Sequence, residues 1–157
     1  MTGILSPTTL LIASTISYWW GERQLQNQFA DILVEAPLGA KTKLILPDST
    51  LVWLNAGSKI VYSQGFGVKD RHLRLNGEAY FEVRKDSLRP FIVRVNGAEV
   101  TVLGTSFNVN TYGDDGLIYT TLVNGSVRIL SEKNGQEEVL TPGMQGVMNI
   151  QTGQLTV

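Results

Sequence analysis

LRLNGEAYFEV, residues 73–83, is the stretch on which the fold turns. Apolar side chains alternate on both sides of Asn76-Gly77, which predicts two short strands joined at that pair. Asn-Gly recurs at 96/97, 124/125 and 134/135. A type I′ turn demands positive φ at both central residues, and Asn followed by Gly supplies this at least steric cost. Each pair therefore predicts a hairpin. In the second half of the stretch, Ala79, Phe81 and Val83 share one face, while Glu78, Tyr80 and Glu82 share the other. Glu78 and Glu82 raise the question of a catalytic carboxylate pair. On one strand they stand about 13 Å apart at ~3.3 Å per residue, wider than the roughly 5–9.5 Å of glycosidase pairs. A solvated sheet face is the better reading.

Working outward, the same period holds from Leu38 onward. KTKLILP, LVWLN, KIVYS, FIVRVNGAEVTVLG, TSFNVNTY and IYTTLVNGSVRIL are short apolar or alternating runs about ten residues apart. PDST, NAGS and a Gly-rich loop through Gly65 and Gly67 punctuate them. No stretch after Pro37 has a 3.6-residue period. The expected fold is all-β, a jelly-roll-like or β-roll sandwich of short antiparallel strands with Asn-Gly hairpins.

The N-terminal end reads differently. From Thr2 to Gly21 there is no charge, and TLLIASTISYWWG ends in Tyr18, Trp19 and Trp20. A bilayer core takes about 20 apolar residues in a helix, and aromatic side chains favour its interface. Residues 1–21 are expected to form a transmembrane helix. A signal peptide is the rival, although no Lys or Arg precedes the apolar run and no clear cleavage site follows. A buried amphipathic helix is the plainer alternative. Residues 22–37 are expected to form a helical stalk passing into a first strand near Ile32 to Glu35, and 38–157 the β domain.

Composition narrows the chemistry. The 157-residue chain is 43% hydrophobic, enough for a packed core, and its net charge is -1. It has no cysteine, which removes disulfides, thiolate metal sites and a Cys nucleophile together. Basic residues are scattered singly, whereas nucleic-acid binding needs them clustered. His72 is the only histidine, so imidazole-rich metal sites are excluded and a Ser-His-Asp triad would rest on it alone. Beside Arg71 and Arg74, His72 reads as a surface strand residue. No G-x-S-x-G elbow occurs, and Gly65-Phe66-Gly67 precedes no helix that could hold phosphate. Asp114 and Asp115, between Gly113 and Gly116, leave an all-carboxylate calcium site open, with a solvated loop preferred. No cofactor and no metal are expected. Trp53 is the only tryptophan in the β region. A core position is preferred there over a ligand-facing sugar platform.

Taken in order, LPDSTLVWLNAGSKIVY, LRLNGEAYFEV, RPFIVRVNGAEVTVLGTSFNV, TTLVNGSVRI and LTPGMQ resemble the periplasmic domain of the FecR family, in the style of its Bacteroidetes members. The resemblance runs from about Ala36 to Met148. Ser49 departs from it, standing where the family usually has Gly in LPDGT. The resemblance implies a membrane-bound anti-sigma regulator: a cytoplasmic domain holding an extracytoplasmic-function sigma factor, one inner-membrane helix, and this β domain in the periplasm. There it would receive a signal from an outer-membrane TonB-dependent transporter. The sigma-binding domain and a small α/β domain that often follows are not in this sequence, so the expectation is the sensory middle of such a regulator. The resemblance also implies a candidate self-cleavage point in LGTSFNV, where the Thr105 hydroxyl would attack the Gly104 carbonyl and the resulting ester would hydrolyse. The alternative is a turn or bulge in which Gly104 permits a close approach. A second function class stays open: a membrane-anchored glycan-binding β-sandwich built on Trp53 and neighbouring tyrosines.

Overall fold

The structure is a computed structural model and describes residues 30–113 and 115–157. The expected transmembrane helix, most of the stalk and Asp114 lie outside the described residues. Alternating burial along nearly every segment builds two seven-stranded sheets. In sheet A the order is β1 (Asp31–Glu35), β4 (Lys59–Ser63), β5 (His72–Asn76), β7 (Phe91–Val95), β8 (Ala98–Val102), β11 (Val127–Ser131), β12 (Glu137–Leu140). In sheet B it is β14 (Leu155–Thr156), β13 (Gln145–Asn149), β10 (Leu117–Asn124), β9 (Ser106–Asn110), β6 (Glu78–Glu82), β3 (Leu51–Leu54), β2 (Thr42–Ile45). The first strand falls where the sequence places it. The described residues are all-β.

The inner faces meet over aliphatic side chains and four phenylalanines. Phe81 stacks on Phe107 with centroids 5.1 Å apart. Phe91 meets Phe81 and Phe66 edge-on, each at 5.9 Å. Phe66 comes from the Gly-rich loop between β4 and β5 and plugs the core although it belongs to no strand.

Three expectations change. First, LRLNGEAYFEV is not a hairpin. β5 pairs with β4 and β7 in sheet A, while β6 pairs with β3 and β9 in sheet B, so Asn76-Gly77 is a corner between sheets. Asn124-Gly125 is the reverse corner, from β10 in sheet B to β11 in sheet A. Only the pairs at 96/97 and 134/135 close hairpins, β7–β8 and β11–β12. Second, none of the four is a type I′ turn. Each Gly has positive φ, but Ser49 is the single non-Gly residue among those described that does. The corners need glycine for a further reason. A Cβ on Gly77 would sit 2.5 Å from Ser58 Oγ, and one on Gly125 would sit 2.8 Å from Thr105 Oγ1. On Gly135 it would meet nothing within 4 Å.

Third, the strands are not all antiparallel. β5 and β7 run parallel, with Leu73 opposite Val93. The chain leaves sheet A at Gly77, runs through β6 in sheet B, and returns along a strap, residues 84–90, to lie beside its starting strand. That detour reverses the direction twice, so β7 arrives pointing the same way as β5.

Candidate functional site

Arg71 is the centre from which the site is built. Its side chain is 1% exposed, and Asp48, 6% exposed, faces it at 3.2 Å. A guanidinium carries five N–H donors, and here each has an acceptor. Nε donates to the Arg89 carbonyl at 2.8 Å. Nη1 donates to Asp48 Oδ2 and to the Arg84 carbonyl at 2.9 Å. Nη2 donates to the carbonyls of Asp86 at 3.2 Å and Arg89. A buried cation with every donor used fixes the groups around it. Asp48 is held in turn by the Thr50 amide and hydroxyl, both at 2.9 Å. The Phe91 ring lies 5.8 Å from the guanidinium carbon. Arg71 thus binds the LPDST turn of sheet B and the strap to the start of β5.

The strap carries this order outward. Asp86 accepts from the Leu88 and Arg89 amides and from Arg89 Nε at 2.9 Å. Partial desolvation would raise the Asp86 carboxyl, but those amides and the Arg89 guanidinium outweigh it and hold its pKa below the usual aspartate value. The Asp86 amide donates to the Leu103 carbonyl at 2.8 Å. Lys85 packs so tightly on Gly104 that a Cβ there would lie 2.7 Å from the Lys85 Cα. Gly104 is therefore a close-approach glycine outside the positive-φ set.

Strap, β8 and the Gly125 corner together enclose a groove of about 540 Å³ on the outside of sheet A. Leu103 and Val139, 46% and 55% exposed, form its apolar sides. Lys85 and Arg128 supply its charge. Arg128 is paired with Glu137 at 3.2 Å, whereas Lys85 has no ion-pair partner among the described residues. Gly104 and Thr105, singled out in the sequence, lie on its floor. Thr105 is 4% exposed. Its hydroxyl donates to the Ser126 carbonyl at 2.9 Å, which ties the start of β9 to the corner.

The other residues named from sequence lie elsewhere. Trp53, expected in the core, faces outward from sheet B and is half-buried, because its neighbours Val52 and Leu54 take the inner face at 0% exposure. Lys43 Nζ lies 4.9 Å from its ring centroid. Glu78 is more than a solvated carboxylate. It accepts from Asn55 Nδ2 at 2.7 Å and Asn108 Nδ2 at 2.9 Å. Glu82 on the same face is exposed. His72 is half-buried on β5, with Nδ1 3.9 Å from Asp70 Oδ2. Asp115 caps its loop, accepting from the Leu117 amide at 3.0 Å. It also accepts from the Tyr119 hydroxyl, and that bond raises the tyrosine pKa.

The family profile described as FecR protein matches residues 33–128. The chain belongs to the FecR family. The matched segment holds both corners, the Arg71–Asp48 pair, the strap and the Gly104-Thr105 floor, so the whole network lies inside the FecR region. Two crystal structures, each of a candidate anti-sigma factor from Parabacteroides distasonis ATCC 8503, are similar to this FecR chain. Both are 34% identical, with TM-scores of 0.73 and 0.72, and cover 81% and 80% of it. The matches span 59% and 58% of those solved chains, so this FecR chain corresponds to about three fifths of their length. No match is found among curated proteins.

Proposed function

We propose that this domain is the relay module of an anti-sigma regulator. It sits in the periplasm on a single inner-membrane helix formed by residues 1–21. It takes up a signal from an outer-membrane TonB-dependent transporter and transmits it to an extracytoplasmic-function sigma factor held by parts of the regulator outside this chain. FecR membership and the likeness to anti-sigma candidates support the reading. The observation that carries it is the Arg71-anchored groove, an apolar slot whose walls, Leu103 and Val139, are exposed beside Lys85, which has no ion-pair partner among the described residues. Ligand sites of this size are usually pre-formed. An extended partner segment with aliphatic and acidic side chains fits its chemistry.

The test is made in the native host, with transcription as the readout. Deleting the coding region is expected to change transcription of a sigma-dependent operon. An unchanged transcriptome overturns the anti-sigma reading itself. Leu103→Glu combined with Val139→Glu is expected to abolish the inducer response while protein level stays normal. A full response in that variant overturns the groove as the docking surface and leaves the regulator reading standing.

A further inference from the structure

The two outer faces of the sandwich differ in chemistry. Sheet A carries four cross-strand ion pairs: Lys59–Glu35 at 3.1 Å, Arg74–Asp31 at 2.8 Å, Arg94–Glu99 at 3.4 Å and Arg128–Glu137 at 3.2 Å. Among the described residues, no ion pair lies on the outer face of sheet B. There the register lines up Lys43, Trp53, Tyr80, Asn108, Thr121 and Gln145, one from each of six adjacent strands. At about 4.8 Å per strand, the row runs some 24 Å across the sheet.

The row is built as well as aligned. Trp53 and Tyr80 have ring centroids 5.6 Å apart. Glu78 holds the Asn55 and Asn108 amide nitrogens, which fixes the Asn108 amide and leaves its carbonyl oxygen without a hydrogen-bond partner among the described residues. The Tyr80 hydroxyl and the Trp53 indole N–H likewise have no hydrogen-bond partner among the described residues. One donor, one acceptor and one group that can do both therefore surround a pair of aromatic rings.

We propose that the outer face of sheet B binds a neutral oligosaccharide laid across the strands, a role separate from the groove on sheet A. A sugar ring combines an apolar C–H face, which packs on an indole, with hydroxyls that both donate and accept. Tyr80, Asn108 and Lys43 meet those hydroxyls once the Lys43 ammonium swings off the Trp53 ring. Charge complementarity decides the class. Within the strands of that face a polyanion would meet Glu78 and Glu82 with Lys43 alone to oppose them, and a cation would face Lys43. A neutral chain incurs neither repulsion.

The full 157-residue chain, in a detergent without a sugar headgroup, is titrated calorimetrically with cellohexaose, maltohexaose, xylohexaose and mannohexaose. At least one is expected to bind with micromolar to low-millimolar Kd. Trp53→Ala and Asn108→Ala are each expected to weaken binding at least about tenfold, roughly 1.4 kcal/mol, and Arg94→Ala on sheet A to leave it unchanged. Asn108→Ala keeps the indole in place, so a folding defect in the tryptophan variant does not hide the result. No binding by any of the four, or binding that survives both substitutions, overturns the proposal. So does sedimentation showing that this face joins two copies of the chain through Trp53.

Discussion

Ser49 holds φ at 71° in the turn between β2 and β3, where an L side chain is crowded against its own carbonyl. The left-handed region costs a non-glycine residue roughly 1–2 kcal/mol, and glycine gives back part of that gain through its freer unfolded chain. Ser49→Gly is therefore expected to stabilise the domain by about 0.5–1 kcal/mol, read as a higher urea midpoint with unchanged slope. The side chain makes only a 3.5 Å exposed contact with Arg84 Nη1, too weak to reverse the sign. A lower midpoint would show that the serine does more than fill the turn. At this scale the sequence was partly legible. The LPDGT comparison marked position 49 as unusual. LVWLN, however, is apolar in both parities, so alternation could not say whether Trp53 or its neighbours faced inward.

At the scale of elements, the four Asn-Gly pairs divide by what surrounds the glycine. Gly135 needs only its positive φ, whereas Gly125 needs that and the space beside Thr105. Gly135→Ala is expected to cost about 1–2 kcal/mol, the backbone penalty alone. Gly125→Ala should cost about 2–5 kcal/mol, since overpacking adds roughly 1–3. Equal losses in thermal or denaturant unfolding would dissolve the distinction between corner and hairpin. Nearly every strand was legible in advance, because period-two burial is local. Which sheet each strand joins was not. Asn-Gly specifies that the chain turns, and the same dipeptide at 96/97 and 124/125 sends it back along one sheet or across to the other. The difference lies in Ser58 and Thr105, far away in sequence, which receive the two corner glycines.

At the scale of the whole molecule, the Arg71 side chain joins both sheets and the strap. In the sequence it sits in KDRHLRL, a polar run that reads as surface, and its acceptors lie in segments from Asp48 to Arg89. Three of the four distinct groups it binds are backbone carbonyls, which leave no mark on composition. The groove it supports was legible only as LGT. Removing one partner of a buried pair typically costs about 3–5 kcal/mol, while removing both charges together is far milder. Arg71→Met is expected to lose that much, and Arg71→Met with Asp48→Asn measurably less, in a double-mutant cycle followed by denaturant unfolding. Additive losses would mean that the carbonyls, not Asp48, dominate.

The strand order has a mechanical consequence. β1 lies at one side of sheet A, and β12 at its far side packs against β13 and β14, so β1 and β14 occupy opposite flanks of the sandwich. Tension applied through the chain just before Asp31 and just after Thr156 would cross the strands instead of running along them. It would peel β1 from β4 one residue pair at a time, Asp31 from Ser63 first and Glu35 from Lys59 last. Peeling breaks bonds in succession and yields at low force, whereas shear must break a whole strand pairing at once. β1 pairs with β4, and Arg71 is bonded to Asp48 and to the strap rather than to β1, so the sandwich would surrender its first strand under load and keep its groove.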